Sequence, residues 1–124
     1  MPLLIERFSV VSIDLRGTGF SDCPLDGYDK VTTARDAHEV MVTFGHERYA
    51  VCGHDIGGMV ALPQADIYRE AVTHLAVLDI PLPGWTEWEA TNARLWHFSF
   101  HMNWDLPERL IHGREYDYVS TFMA

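Results

Sequence analysis

The sequence predicts an α/β fold in which a parallel sheet of about three strands carries helices on its faces. Three apolar runs, residues 8–14, 49–52 and 75–80, have the composition typical of buried strands. Patterns of helical spacing separate these runs. The order strand, helix, strand, helix, strand favours parallel strands joined by crossover helices.

One aspartate stands at the carboxyl end of each predicted strand. These residues are Asp14, Asp55 and Asp79. Ligands of parallel α/β sheets bind beyond the carboxyl ends of the strands. This edge of the sheet is therefore the predicted place for chemistry.

The composition limits the classes of protein and partner. The chain has 124 residues, 48 % of them hydrophobic, which suffices for a packed core. Its 9 basic and 18 acidic residues give a formal net charge of −9, which argues against a nucleic-acid or anionic-membrane partner. Cys52 lies in a predicted buried strand and Cys23 is the second cysteine, so we expect no disulfide framework. Without a run that could serve as a signal peptide or membrane span, the expected location is the cytoplasm.

The segments between the predicted strands are two helices and a glycine-rich loop. Apolar residues at helical spacing predict helices over residues 31–44 and 59–67. The loop, residues 17–22, lacks the third glycine of a dinucleotide-binding motif, so nucleotide binding is not predicted. Arg16 and Asp22 are expected to brace this loop.

The composition changes after the last predicted strand. We therefore divide the chain into a sheet core, residues 1–84, and the beginning of a helical cap, residues 85–124. The aromatic stretch 85–104 predicts one helix, or two short ones, covering the carboxyl edge of the sheet. Further helices are predicted over residues 108–112 and 115–123.

The second predicted strand runs into a sharp turn and a helix start, in the sequence VCGHDIGG at residues 51–58. Gly53 and Gly57, two residues to either side of Asp55, let strand and helix cross closely and turn the Asp55 side chain outward. A carboxylate at a helix N-terminus is favoured in its charged form, which suits a nucleophile. The alternative role for Asp55 is that of a helix N-cap, which does not require glycines on both sides.

These motifs resemble those of the α/β-hydrolase superfamily, in the branch with an aspartate nucleophile that contains epoxide hydrolases and haloalkane or haloacid dehalogenases. They are DLRGTGFSD at residues 14–22, GHDIGG at 53–58 and LAVLDIP at 75–81. LWHFSF at 95–100, with LPERL at 106–110, resembles bacterial epoxide hydrolases in which a cap His replaces one of two ring-opening tyrosines. The resemblance implies a partial α/β-hydrolase fold and the start of a helical cap.

The resemblance also implies a two-step hydrolysis of an epoxide to a vicinal diol, without a cofactor. Asp55 is the implied nucleophile, which forms an alkyl ester, and the backbone N–H of Ile56 belongs to the implied oxyanion hole. His97 is the implied donor to the opening epoxide oxygen. Asp79 matches the acid that orients the catalytic base in part of this branch. The implied partner is a small apolar epoxide or related electrophile.

Structural roles compete with several of these assignments. Trp96 and Phe98 are expected to pack within the cap and, in doing so, to line the substrate pocket. Asp79 could instead cap the next turn, and His97 could be a core histidine. His97 and His101 stand four residues apart, a spacing that can bind zinc, but no acidic ligand set accompanies them. We therefore predict no metal site.

The chain departs from the family pattern at both ends. The family's early strands with their His-Gly loop, and the late loop carrying the His base, have no counterpart here. We therefore expect the middle of an enzyme, whose exposed sheet edges favour self-association. The alternatives to an incomplete epoxide hydrolase are a dehalogenase of the same branch and a catalytically silent truncated product. Ile56 and Met59 stand near positions where dehalogenases carry Trp or Arg, which favours the epoxide hydrolase.

Overall fold

The computed structural model of the chain describes residues 2–81, 89–90, 94–103 and 105–123. The chain divides into two compact units, Met1–Ile80 and Pro81–Ala124, and each is described here by itself. The predicted boundary after residue 84 falls outside the described residues and stays a prediction.

The first unit is a two-stranded parallel sheet with packed helices. Its elements in chain order are α1 (Pro2–Ile5), α2 (Lys30–Thr43), β1 (Tyr49–His54), α3 (Ile56–Ile67) and β2 (Val72–Leu78). The strands β1 and β2 pair in parallel, α3 packs against both of them, and α2 packs against α3. The α/β class, the parallel sheet and both predicted helices of this unit are therefore confirmed.

The first predicted strand is wrong. Residues 9–15 belong to no helix or strand, and the described sheet consists of β1 and β2 alone. Val11, Ile13 and Leu15 are half-buried while Ser12 between them is exposed, the alternation of a strand with one covered face. The segment has the burial pattern of a strand, but it pairs with no other strand in the described part of the chain.

The helix α2 begins and ends at the residues that sequence rules favour. The Asp29 carboxylate accepts hydrogen bonds from the Thr32 backbone N–H at 2.8 Å and from its hydroxyl at 2.6 Å. These bonds cap the helix and hold the pKa of Asp29 below its usual value. After the helix, Gly45 adopts a φ of 78°, a conformation that glycine accepts without strain.

Arg16 braces the glycine-rich loop through a residue that the sequence did not indicate. Its guanidinium forms a bidentate pair with the Asp36 carboxylate on α2, with N–O distances of 2.6 and 2.8 Å. This hydrogen-bonded pairing raises the pKa of Arg16. Asp22, the predicted partner, contributes its backbone carbonyl instead, which accepts from the Gly17 N–H at 2.9 Å.

The core of the first unit has a polar centre at Tyr49. The Tyr49 hydroxyl lies 2.7 Å from Nδ1 of His38 on α2 and accepts a hydrogen bond from Nε2 of Gln64 on α3 at 3.2 Å. Tyr68 stacks on His38 with ring centroids 3.6 Å apart. Burial raises the pKa of Tyr49, so its hydroxyl remains protonated at neutral pH. One side chain thus joins α2, β1 and α3.

The prediction that Cys52 is buried is wrong. Cys52 and Cys23 are both exposed and free. Along β1 the side chains alternate, with Tyr49 and Gly53 buried on the covered face and Cys52 on the other. No described element packs over that second face, which the apolar sequence of the strand did not reveal.

The second unit contains three short helices among its described residues. They are α4 (Trp96–His101), α5 (Leu106–Ile111) and α6 (Glu115–Met123). The last two confirm the predicted helices, and α4 lies in the predicted aromatic stretch, of which residues 89–90 and 94–103 are described. No helix in residues 2–81, 89–90, 94–103 and 105–123 is long and apolar enough to cross a membrane.

The Tyr49 cluster generates a prediction about stability. Replacing Tyr49 by Phe leaves the amide of Gln64, which is 4 % exposed, without its acceptor. We expect Tyr49→Phe to lower the free energy of unfolding by about 1–3 kcal/mol, measured by urea denaturation. Tyr116→Phe is the matched control. Because Tyr116 is 84 % exposed, its replacement should leave the urea midpoint unchanged. Equal midpoints for both variants would contradict the assignment.

Candidate active site

Asp55 occupies a strained turn between β1 and α3. Its backbone has φ 52° and ψ −124°, and its side chain makes no capping hydrogen bond to the helix. The Asp55 carbonyl accepts from the N–H groups of Gly58 and Met59 at 2.9 and 3.2 Å. The alternative of a side-chain N-cap is therefore wrong. A non-glycine residue in such a conformation costs about 1–3 kcal/mol, and strain of this kind concentrates at functional sites.

Two glycines allow β1 and α3 to cross at this turn. A β-carbon at Gly53 would overlap the carbonyl of Gly57, and one at Gly58 would overlap the Ile80 side chain. Gly57 itself has open space where a β-carbon would stand. The close crossing predicted around Asp55 is present, but its second small residue is Gly58 rather than Gly57. Because Gly57 and Gly58 are adjacent, the sequence alone did not indicate which of them allows the close crossing.

The sheet brings Asp79 next to Asp55. The strands pair up to His54 opposite Leu78, and the Asp55 N–H continues the ladder to the Leu78 carbonyl at 3.2 Å. The two aspartates therefore follow paired residues on strands that lie about 4.8 Å apart. Asp79 is also strained, with φ 49°, and both residues are exposed. Two carboxylates thus share one edge of the sheet.

The Asp14 side chain contacts the glycine-rich loop that follows it. Its carboxylate accepts a hydrogen bond from the Phe20 N–H at 3.1 Å. A β-carbon on Gly19, whose φ is 56°, would overlap this carboxylate. Of the three aspartates at predicted strand ends, the sheet register therefore pairs only Asp55 and Asp79.

The start of α3 supplies hydrogen-bond donors beside Asp55. Ile56 is the first residue of this 12-residue helix. Its backbone N–H, like that of Gly57, lies in the first turn, where no carbonyl of a preceding helical turn is available to accept it. The helix dipole favours negative charge at this end. The turn can therefore hold a carboxylate and stabilise an oxyanion next to it.

His97 lies on α4 in the second unit. It is half-buried, and its ring makes perpendicular contacts with Trp96 and Phe98 at centroid distances of 6.2 and 4.7 Å. Trp96 is exposed and Phe98 half-buried. The roles of these residues toward Asp55 stay predictions, because the two units are described separately.

His101 and Tyr118 form a pair that the sequence reasoning missed. Nε2 of His101 lies 2.6 Å from the Tyr118 hydroxyl, and the Tyr118 ring contacts those of Trp96 and Phe100. Burial raises the pKa of Tyr118. The pair joins α6 to the helix that carries His97. From the sequence, His101 was of interest only for its zinc-binding spacing to His97. No group of three potential metal ligands occurs among the described residues.

A sharp turn that joins a strand of a parallel sheet to a helix, as at Asp55, is the local arrangement found in α/β-hydrolase folds. The chain belongs to the alpha/beta hydrolase fold family, whose model matches residues 1–105. It is 43 % identical over 84 residues to a soluble epoxide hydrolase of Corynebacterium sp. (strain C12), covering 68 % of this chain and 29 % of the relative. A fluoroacetate dehalogenase of Burkholderia sp. is 38 % identical over 108 residues, covering 80 % of this chain and 35 % of the relative.

A solved structure agrees with these relatives. The crystal structure of Cfl2 from Burkholderia cenocepacia matches with a TM-score of 0.83 and 43 % identity, covering 98 % of this chain and 44 % of that chain. The predicted resemblance to the epoxide hydrolase-like branch is confirmed. The chain spans about a third of the length of the curated relatives it matches and under half of the matched structure.

The glycines of the turn give a paired prediction. Gly53→Ala places a methyl group against the Gly57 carbonyl, and we expect a loss of about 1–3 kcal/mol in the free energy of unfolding. Gly57→Ala is the matched control: it meets open space in a helix, where alanine is favoured over glycine by up to about 1 kcal/mol. Thermal unfolding of both variants checks this. A Gly57→Ala protein less stable than Gly53→Ala would refute the described crossing.

Proposed function

We propose that this chain carries the nucleophile and its acidic partner for the hydrolysis of an epoxide to a vicinal diol. The observation that carries the proposal is the exposed carboxylate of Asp55, held at a φ of 52° at the start of α3. A strained, exposed carboxylate without a capping role has the properties that covalent catalysis requires. The similarity to a soluble epoxide hydrolase supports the substrate class.

The proposed reaction begins with attack by an Asp55 carboxylate oxygen on a ring carbon of the epoxide. The carbon–oxygen bond of the ring breaks, and the released oxygen takes a proton from a donor to give a hydroxyalkyl ester. Water then attacks the ester carbonyl. The Ile56 N–H stabilises the oxyanion of that step. Release of the diol restores the Asp55 carboxylate.

Asp79 is proposed as the acid that orients the base of the second step. Its support is its place beside Asp55 at the carboxyl edge, where it holds an unfavourable φ of 49°. A His base is not assigned to any described residue, so this chain by itself is proposed to form the ester without turning it over.

His97 is proposed as the proton donor for ring opening, with Trp96 and Phe98 as apolar walls of the cap. The support is chemical: an alkoxide is a poor leaving group unless its oxygen is protonated, and imidazole donates near neutral pH. The aromatic neighbours on α4 suit a neutral, apolar epoxide. The cytoplasm stays the predicted location.

A dehalogenase of the same branch is the second candidate. The fluoroacetate dehalogenase relative favours it, because displacement of halide by a carboxylate forms the same kind of ester. The side chain of Ile56, next to the nucleophile, is apolar and 52 % exposed, so it offers no hydrogen bond to a halide. A catalytically silent chain is the third candidate. Covalent labelling separates the three.

We expect styrene oxide to add one molecule of its own mass to the intact chain, and peptide mapping to locate the ester at Asp55. Asp55→Ala should abolish the label. Glu70→Gln is the matched control, because Glu70 is an exposed carboxylate at the far end of α3 and should leave labelling intact. Circular dichroism of each variant verifies folding.

Each outcome selects one candidate. A label that survives Asp55→Ala rules out the proposed nucleophile. If styrene oxide leaves no label and no halide is released, the catalytically silent chain is the candidate that remains. If the chain releases halide from a haloalkane but is not labelled by the epoxide, the dehalogenase is selected. Sustained diol release would show that a base is present after all.

The rate of labelling tests His97. Because protonation of the opening oxygen belongs to the first step, His97→Ala should slow ester formation by about 100-fold at neutral pH. His112→Ala is the control, since His112 is an exposed residue at the end of α5. Asp79→Asn should leave the rate of this step unchanged, because its role belongs to the second. Equal rates for all three variants would remove His97 from the mechanism.

A further inference from the structure

The side chain of Ile80 fills the space that a side chain at residue 58 would occupy. A β-carbon built on Gly58 would overlap Cγ2 of Ile80 and lie 3.3 Å from its Cδ1. Ile80 is half-buried, and it stands two residues after the end of β2. Gly58 lies in the first turn of α3. One β-branched side chain therefore packs the loop that follows β2 against the start of α3.

Gly58 connects this contact to Asp55. Its backbone N–H donates to the Asp55 carbonyl at 2.9 Å, in the bond that opens α3. Its α-carbon would lie 2.7 Å from a β-carbon at Gly53, so Gly58 also has a close neighbour in β1. Because Gly58 is held by these neighbours, the packing of Ile80 against it acts on the hydrogen bond that fixes the Asp55 carbonyl.

A second contact attaches Asp55 to the same loop. The Asp55 N–H donates to the Leu78 carbonyl at 3.2 Å. The peptide groups before and after Asp55 are thus both attached to residues 78–80, the first directly and the second through Gly58. Asp79 lies between these two points of attachment. The contacts close a ring, whose members are Asp55, Gly58, Ile80, Asp79 and Leu78.

The ring contains two residues with unfavourable backbone conformations. Asp55 has a φ of 52° and Asp79 a φ of 49°. Such conformations persist only where the surrounding structure imposes them. The ladder between β1 and β2 holds one side of the ring, through Leu78. The packing of Ile80 on Gly58 holds the other side.

We propose that Ile80 is a positioning residue for both aspartates. Its side chain clamps the loop after β2 onto the first turn of α3, and this contact maintains the two positive φ angles and the spacing of the two carboxylates. We call the contact between Ile80 and Gly58 the Ile80 clamp. The inference rests on the proposed function, in which Asp55 is the nucleophile and Asp79 its acidic partner.

The Ile80 clamp depends on the branching of the side chain more than on its volume. The atom nearest to Gly58 is Cγ2, which isoleucine carries because it branches at the β-carbon. Valine keeps this branch and lacks Cδ1, whereas leucine keeps the volume and lacks the branch. Apolar burial alone would favour leucine, because volume-conserving substitutions are tolerated best. The clamp favours valine, so the two substitutions separate the two roles.

The rate at which styrene oxide labels Asp55 reports on the position of the nucleophile. We expect Ile80→Ala and Ile80→Leu to slow labelling by about 10-fold, because small displacements of a reacting group are costly to a rate. Ile80→Val should label at a rate close to that of the unmodified chain. Val72→Ala is the matched control and should leave the rate unchanged, because Val72 is a half-buried residue at the opposite end of β2.

Amide hydrogen exchange measures the Ile80 clamp without reference to any reaction. Ile80→Ala should accelerate exchange of the Asp55 N–H several-fold more than that of the Tyr49 N–H, which bonds to the Ala71 carbonyl at the other end of the ladder. Val72→Ala should reverse this order, because Val72 pairs with Tyr49. A general loss of stability accelerates both amides of one protein, so it does not produce the expected difference.

The two measurements separate this inference from the proposed function. An unmodified chain that takes no label at Asp55 would refute the proposed function, and the exchange ratio would then decide on the clamp. Equal acceleration of both amides in Ile80→Ala would overturn the clamp. Labelling of Ile80→Leu as fast as that of Ile80→Val would overturn the positioning role. The same conclusion would follow if Val72→Ala slowed labelling as much as Ile80→Ala.

Discussion

The close crossing of β1 and α3 is the constraint on which the candidate site depends. Gly53 lies against the Gly57 carbonyl, and Gly58 lies under the Ile80 side chain, so the chain must reverse within one residue. That residue is Asp55, which takes a conformation that an L-amino acid rarely adopts. The strain is sustained by contacts on both sides: the ladder to β2 before the turn and the first turn of α3 after it. The same ladder fixes Asp79 beside it.

The elements that the sequence predicted well are those whose cause is local. Helical spacing defined α2, and small residues around Asp55 defined the turn, because each depends on neighbours within a few residues. Segment 9–15 and Cys52 were mispredicted for one shared reason. Apolar, β-branched composition indicates a strand, but whether the strand finds a neighbour, and whether both faces are covered, depends on distant parts of the chain.

Long-range side-chain pairs were the least predictable features. Arg16 pairs with Asp36, 20 residues away, rather than with the nearer Asp22. The pairing is possible because α2 brings the Asp36 carboxylate within hydrogen-bond distance of the Arg16 guanidinium. His101 finds Tyr118 in the same manner, across 17 residues. The sharp turn at Asp55, by contrast, was predictable, because its small neighbours and the helix start all lie in one short stretch of sequence. The position of Asp79 beside Asp55 depends on the register between β1 and β2.

The open edge of β1 connects the fold to the chemistry. β1 positions Asp55, yet the described sheet holds this strand along one edge only, through β2. A strand that is paired on one side frays more readily than one in the interior of a sheet, and its end is the part that moves first. The proposed role of Asp55 as a nucleophile needs a fixed position, because a displacement of about 1 Å can reduce a rate by about 100-fold. The pairing of β1 with β2 is therefore what holds the Asp55 carboxylate in place within the described sheet.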